Sequence, residues 1–481
     1  MHYHVLGAGS LGLLFAAHLA KTGHVTLLLR NQAAVDAFIA SGSRVYLQEL
    51  WRDPNASAKW TQSLTISAAC VPCASTQSIP LEPIQRLVLA TKAPAATAAL
   101  RSVLPFLAPG ARLLLLQNGG LAVADELRRQ LGPQLELQPA SSSNPTSTTQ
   151  QAAGPAARIY LASVTHGCFR GEPPLDPPGP SDSAPHPSGA RGVVHAGLGE
   201  VILGPLPPPP PHPAAATLDP DDSAFLSELA AALPGLALRP TPPLQLAAAL
   251  ASKLAANAAI NPLTALLGCR NGALVEPGLG APLPLPLPLP LPLPLLPVTG
   301  LDGAQGAGGG AGGGGGSGGG GRDGGLPGVM RAVCRELVAV LGPRAFALPP
   351  RALQAAVRGA PVQGSATGGG DGDRGGQGEA AAAEAREAEE ALYEWVAGVA
   401  RATSRNRSSM LQDVAAGRRT EVDYLTGWVV SQAAARGVDV PTNAALYALV
   451  KAKERLAEAE AEAEAEAKAG TGEGLAEPRG R

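Results

Sequence analysis

A strand, a glycine turn and a helix open the chain, and they restrict the fold more than anything downstream. His2-Tyr3-His4-Val5-Leu6 reads as a short apolar strand and Gly7-Ala8-Gly9-Ser10-Leu11-Gly12 as a tight turn. Leu13 to Lys21 follows as an Ala/Leu-rich helix closed by Thr22-Gly23, and Val25 to Leu29 as a buried strand. Together they make a βαβ unit of about thirty residues. In a G-x-G-x-x-G turn the first glycine permits the sharp bend. The second lets backbone approach a pyrophosphate, and the third lets helix and strand pack closely. The phosphates then rest on free N–H groups at the positive end of the helix dipole. The motif alone is weak, but here it follows a strand and opens a helix, the context that nucleotide binding requires.

Further strands are expected at Arg86 to Thr91 and Arg112 to Gln117, each followed by a helix, Ala93 to Leu104 and Leu121 to Leu131. Alternating strands and helices predict a doubly wound parallel sheet of Rossmann type. Arg158 to Ser163 and Gly192 to Gly204 read as closing strands of the same domain. From Leu244 the pattern changes to long helices: Leu244 to Ile260, Met330 to Leu341, Ala380 to Ala402, Glu421 to Ala435 and Ala444 to Ala467. The expected organisation is an NADP-binding Rossmann domain over 1–240, an all-α catalytic and substrate domain over 241–455, and a charged tail over 456–481.

Composition matters because much of it cannot form a core. Of 481 residues, 59 are Gly and 47 Pro, concentrated in biased tracts. Pro/Ser-rich insertions are expected near 141–155, 171–189 and 205–222, and disordered insertions near 275–328 and 364–378. Within these, 283–294 is a strict Leu-Pro alternation suited only to extended backbone, and 303–325 is nearly pure glycine. These tracts read as passive loop expansion, and the Glu/Ala run from Glu454 to Lys468 as a solvated helical tail.

The formal net charge of -2 and an aromatic content of 3% leave neither the basic stripe nor the stacking surface of a nucleic-acid groove. No apolar run reaches the length of a membrane span and none has a signal-peptide layout, so a cytoplasmic protein is the default expectation. The five cysteines are scattered, as in a reducing compartment. Cys70 and Cys73 have C-x-x-C spacing, but a zinc site needs a second ligand pair and none is visible, so no metal is expected.

An acidic residue at the end of the second strand would bind a ribose 2′-hydroxyl. Arg30 stands there instead, beside Asn31, and a guanidinium suits a 2′-phosphate. In the helical half, Lys253, Asn257 and Asn261 recur at i, i+4 and i+8, on one face of an otherwise apolar helix. Pro262 is expected to end or kink that helix and aim the last amide into an opening. A lysine in a partly desolvated cleft suits proton donation near neutral pH, whereas a solvent-facing polar stripe would be the bland reading. Glu421 is expected to open an amphipathic helix with Thr420 as N-cap and Val422, Leu425 and Val429 as its buried stripe. Ser408-Ser409 reads equally well as a helix cap.

Taken together, Gly7 to Gly12 with Arg30, Gln117-Asn118-Gly119, Lys253 to Asn257, Asn261 to Ala265, and Ser408 to Asp413 followed by Thr420 to Asp423 resemble the ketopantoate reductase (2-dehydropantoate 2-reductase) family. The segments run in family order through nearly the whole chain. The resemblance implies NADPH-dependent reduction of 2-dehydropantoate to (R)-pantoate on the way to pantothenate and coenzyme A. Lys253 and Glu421 match the family's catalytic residues. Gly7, Gly9, Ser10, Leu11, Gly12, Arg30, Lys92 and Asn118 match positions that contact NADP(H), and Asn257, Asn261 and Ser409 positions that hold the substrate. A small-molecule substrate is the expected partner, and the resemblance allows a homodimer. Two alternatives stay open: a reductase of another 2-oxo acid on the same scaffold, and a catalytically silent NADP-binding or interaction protein.

Overall fold

The computed structural model describes residues 1–52, 62–71, 82–132, 157–171, 191–207, 216–275, 325–346 and 374–471. The Leu-Pro alternation, most of the glycine run, the 141–155 tract and Cys73 lie outside them.

The opening unit folds as β1 (His2–Leu6), α1 (Ser10–Leu19) and β2 (His24–Leu29). The helix starts at Ser10, three residues before the apolar run suggests, because the glycine turn itself supplies the first turn of helix. After α2 (Gln32–Ala40) come β3 (Arg44–Glu49), β4 (Gln62–Thr65), β5 (Ser67–Cys70) and β6 (Ile84–Leu89). Next are α3 (Ala93–Val103), β7 (Leu107–Leu115), α4 (Gly120–Leu131), β8 (Arg158–Val164) and β9 (Gly167–Gly171). β10 (Arg191–Gly197), β11 (Val201–Pro205), α5 (Pro220–Ala232) and β12 (Leu238–Pro240) complete this half. Eight strands form one sheet in the order β12-β11-β8-β7-β6-β1-β2-β5. Its pairs are parallel except β8 with β11.

Successive side chains of a strand face opposite sides, so a sheet covered on both faces needs near-continuous apolar strands. Val5, Leu27, Val88 and Leu114 pack with Leu13, Leu14 and Phe15 of α1. Leu6, Leu28, Leu87, Leu89, Leu113 and Leu115 pack on the other face with α3 and α4.

One expectation fails here. Residues 192–204 do not close a single sheet: β11 joins the large sheet, while β10 belongs to a second sheet of order β4-β3-β10-β9. The break falls at Leu198-Gly199-Glu200, where Gly199 touches the Thr165–His166 backbone so closely that a Cβ would lie 2.5 Å from it. The tract near 205–222 also ends earlier than its composition suggests, since Asp219 caps α5 by accepting from the Asp222 amide at 2.7 Å.

The helical half contains α6 (Pro243–Leu267), α7 (Gly325–Leu341), α8 (Arg374–Ala402), α9 (Ser409–Ala415), α10 (Thr426–Arg436) and α11 (Pro441–Thr471). α8 begins inside the stretch near 364–378 expected to be coil. α6 does not end at Pro262, the first of the two outcomes expected of that proline, but continues through it to Leu267. Proline inside a helix costs about 3 kcal/mol, but residues 258–265 are all buried. α6 sits at the centre of the second core, packed against Met330, Val333 and Leu337 of α7 and Val396 and Ala400 of α8. Burial of that many apolar groups outweighs one missing N–H and its ring clash.

Candidate active site

The C-terminal ends of the parallel strands gather the candidate residues. Gly7 has φ +111, and a Cβ there would lie 2.6 Å from the Thr91 amide nitrogen. A Cβ on Gly12 would come within 1.8 Å of the Gly7 carbonyl oxygen. The protein's own packing therefore demands both. Gly9 is different: a Cβ there meets nothing nearer than the Ala90 carbonyl oxygen at 3.9 Å. Among the described residues nothing fills that space, and Gly9 caps α1 without a side-chain hydrogen bond to its first amides. A bare backbone surface beside uncapped amides fits a dinucleotide phosphate. Ser10 and Leu11 form the first turn of α1. Arg30 follows β2 and is exposed, with no ion pair among the described residues. Nearby, Thr91 Oγ1 and Gln117 Oε1 are buried without partners. Gln117 Nε2 donates to the carbonyls of Leu89 and Thr91 at 2.9 and 3.2 Å, tying the ends of β6 and β7 together.

Across from these strand ends lies a cleft of about 330 Å³, lined by Asn118, Gly119, Lys253, Asn257, Tyr424 and Trp428 among others. Lys253 Nζ donates to the Val164 carbonyl at 2.7 Å. Desolvation brings its pKa down to about 8, although the Glu421 carboxylate nearby pulls the other way. Glu421 is buried and accepts from the Ala93 amide at 3.1 Å and from Asn118 Nδ2 at 3.2 Å. Burial raises its pKa, and those two hydrogen bonds together with Lys92 work against the rise. Helix α6 thus brings Lys253 and Asn257 into one cleft with Asn118, and Glu421 grips Asn118 from the helical half.

Other candidates sit differently from what their spacing suggests. Asn261 is 6% exposed within the uninterrupted α6 and is not among the residues lining the cleft. Glu421 does not open a regular helix. It precedes a short 3-10 turn, Val422–Tyr424, after which Leu425 breaks the backbone (φ -109, ψ -95) before α10. Thr420 Oγ1 accepts from the Val422 amide at 3.1 Å, so the hydroxyl stabilises a tight turn rather than a helix start. Val422, Leu425 and Val429 are all buried as expected. Ser408 is the N-cap of α9, its Oγ accepting from the Leu411 amide at 3.0 Å and from Thr264 Oγ1 at 2.7 Å, while Ser409 is exposed. Lys92 forms an ion pair with buried Asp413 at 2.5 Å, and Arg418 shares that carboxylate.

Several contributors escaped the sequence reading. Asp413 closes the Ser408 to Asp413 segment, and nothing in its spacing marks it as the partner of Lys92. Glu454, expected in a solvated tail, is 8% exposed and accepts from the Thr420 amide at 2.7 Å, bracing the residue before Glu421. Trp428 Nε1 and Tyr424 OH donate to Asp125 and Glu126 of α4 at 2.9 and 2.7 Å. An acidic pair on α4 and two aromatic donors, one on the 3-10 turn and one on the helix after it, is a signal visible only once these elements are known to meet.

Comparison with known proteins bears on this arrangement. Residues 3–208 match the family model described as ketopantoate reductase PanE/ApbA, and residues 321–454 match the model of its C-terminal part. A probable 2-dehydropantoate 2-reductase of Schizosaccharomyces pombe is 29% identical over 284 residues, 56% of this chain and 65% of that protein. The match thus spans slightly less than two thirds of that relative. The solved PanE/ApbA family ketopantoate reductase from Ralstonia eutropha JMP134 superposes with a TM-score of 0.54 at 21% identity, over 95% of this chain and 100% of that one. A D-mandelate dehydrogenase solved with NADH and anilino(oxo)acetate gives a TM-score of 0.52 at 15% identity, over 95% of this chain and 99% of that one. At such identities the two structures speak for the shared fold.

Proposed function

Since the chain belongs to the ketopantoate reductase family, we propose that it reduces 2-dehydropantoate to (R)-pantoate with NADPH in the cytosol, a step toward pantothenate and coenzyme A. The observation that carries this reading is the cleft at the strand ends, where a desolvated lysine stands among amides beside a nucleotide-binding glycine turn. Residues 1–240 would bind the dinucleotide and 241–455 the oxo acid. Gly7, Gly9, Ser10, Leu11 and Gly12 would take the pyrophosphate, Arg30 the 2′-phosphate, and Lys92 and Asn118 the ribose and nicotinamide end. When bound, the reduced nicotinamide supplies a hydride to the C2 carbonyl.

The chain's own part is electrostatic and acid–base. As charge grows on the carbonyl oxygen, Lys253 stabilises it and delivers a proton. The Val164 carbonyl fixes the ammonium in place, and a pKa of about 8 keeps that proton available at neutral pH. Glu421, held by the Ala93 amide and Asn118, orients the lysine or a substrate hydroxyl. Asn257, Asn261 and Ser409 are the proposed donors to the carboxylate and hydroxyls.

The deciding experiment follows NADPH absorbance with purified protein and 2-dehydropantoate beside a panel of other 2-oxo acids. Lys253→Ala and Glu421→Ala should each lower turnover by about 10²- to 10⁴-fold. A clear preference for another 2-oxo acid would replace the substrate while keeping the chemistry. Cofactor binding without turnover on any member of the panel would overturn the enzyme reading.

A further inference from the structure

Away from the cleft, three elements converge on a polar cluster where an apolar core is expected. His18 lies in the last turn of α1 and is 2% exposed, Glu49 ends β3 at 4%, and His195 in β10 is fully buried. Glu49 and His195 are register partners in the parallel β3–β10 pair, and α1 packs across that sheet. One ring nitrogen from each histidine and one carboxylate oxygen lie within 4.8 Å of one another. The two imidazoles stand edge to face, with ring centroids 6.1 Å apart.

The hydrogen bonds leave particular atoms over. Gly199 donates its amide to His166 Nδ1 at 3.0 Å, so the His166 proton is on Nε2, where it meets the Leu236 carbonyl at 2.9 Å. His195 Nε2 then donates to the same His166 Nδ1 at 2.9 Å, which leaves His195 Nδ1 as a bare lone pair. Among the described residues, that lone pair receives the indole N–H of half-buried Trp51, at 3.1 Å. Glu49 gives Oε2 to Arg52 at 3.3 Å and to Gln62 at 3.4 Å, while its Oε1 is buried and unpartnered. His18 Nε2 is likewise buried and unpartnered. A carboxylate oxygen and an imidazole nitrogen left unpaired in the same pocket are costly, and one shared cation would satisfy both.

We propose that His18, Glu49 and His195 form a site for one divalent first-row transition ion of the zinc class, bound through His18 Nε2, Glu49 Oε1 and His195 Nδ1. Two imidazoles with one carboxylate suit zinc, cobalt or nickel, whereas calcium and magnesium call for a shell of oxygens. Arg52 occupies the second Glu49 oxygen, so the carboxylate binds through one atom. The ion displaces the Trp51 indole from His195, and three protein ligands leave a fourth coordination position for a further ligand. It fastens the C-terminal end of α1, the helix whose other end carries the glycine turn, to the second sheet. The role is structural and has no step in the reduction.

The test uses full-length protein stripped with chelator and titrated with cobalt(II), read by visible absorption, followed by zinc displacement. One saturable equivalent is expected. Glu49→Gln and His18→Gln should weaken it by about tenfold or more, Trp51→Phe should keep or tighten it, and His2→Gln should leave it unchanged. X-ray absorption of zinc-loaded wild-type protein, expected to show two imidazole nitrogens, decides the matter even if the buried variants fail to fold. Absence of a saturable equivalent, an equivalent indifferent to Glu49→Gln and His18→Gln, loss on His2→Gln, or a zinc shell lacking imidazole would each overturn the proposal.

Discussion

Lys253 is charged at a cost, because its ammonium has left bulk water and has one backbone carbonyl to replace it. That cost is what makes it useful: a donor with a pKa of about 8 gives up its proton far more readily than an exposed lysine. The sign of the pH dependence follows. The protonated form is the acid in the reduction, so kcat/KM should hold below pH 8 and fall as pH rises through it. Lys253→Arg supplies the control, since a guanidinium stays protonated. The variant should be slower but lose the fall near pH 8, and an unchanged alkaline limb would assign that titration to another group. Arg30 makes a second prediction at this scale. Its guanidinium stands exposed just after β2 with no ion pair among the described residues, so Arg30→Ala should raise KM for NADPH by roughly 10- to 100-fold, as expected for loss of a charge-assisted phosphate contact. KM for NADH should hardly move, and equal losses for both cofactors would remove Arg30 from the 2′-phosphate site.

At the scale of elements, Ser408 shows how a cap does double work. Its Oγ satisfies an orphan amide of α9 and also meets Thr264 of α6, so it joins two helices as well as starting one. Ser408→Ala should cost about 1–2 kcal/mol in urea unfolding, whereas Ser409→Ala on the exposed side should stay within about 0.5 kcal/mol. Equal effects would mean that the cap geometry is not what holds α9. Elements also mark where sequence reading succeeds and stops. The first βαβ unit, the strands β6 and β7 and the Lys253–Asn257 face were readable because their signals are local: a glycine turn, an apolar run, a four-residue spacing. The second sheet was not, because the register partners of β3 and β10, such as Glu49 and His195, are 146 residues apart and β4 is half-exposed over four residues. Nor was the partnership of Lys92 with Asp413, or that of Thr420 with Glu454, since each is made only when helices already packed for apolar reasons bring polar groups together. Pro262 belongs with them: a local rule predicts an end or a kink, and the packing around α6 carries the helix past that position.

For the molecule as a whole, the contacts described around the cleft are made by residues outside the biased tracts. The sheet half meets the helical half through Lys92 with Asp413, Asn118 with Glu421, and α4 with Tyr424 and Trp428. The chain entering the longest tract is pinned beforehand: the amides of Asn271 and Gly272 donate to the carbonyls of Asn406 and Ser404 at 3.1 and 3.2 Å. The chain leaving it starts α7, whose Met330, Val333 and Leu337 are buried in the helical core. Both ends are therefore fixed by residues outside the 49 positions from 276 to 324. Replacing those positions with a Gly/Ser linker of about 12 residues, which reaches up to ~40 Å, should leave kcat and KM within about twofold. Closure entropy grows with the logarithm of loop length, so the shorter loop should add about 1 kcal/mol of stability in urea unfolding. Unchanged turnover with a small gain in stability would mark the tract as expansion of a loop that catalysis ignores. Lost turnover with the fold intact would mean that the tract reaches the cleft. Loss of the fold would mean that α7 cannot dock without it.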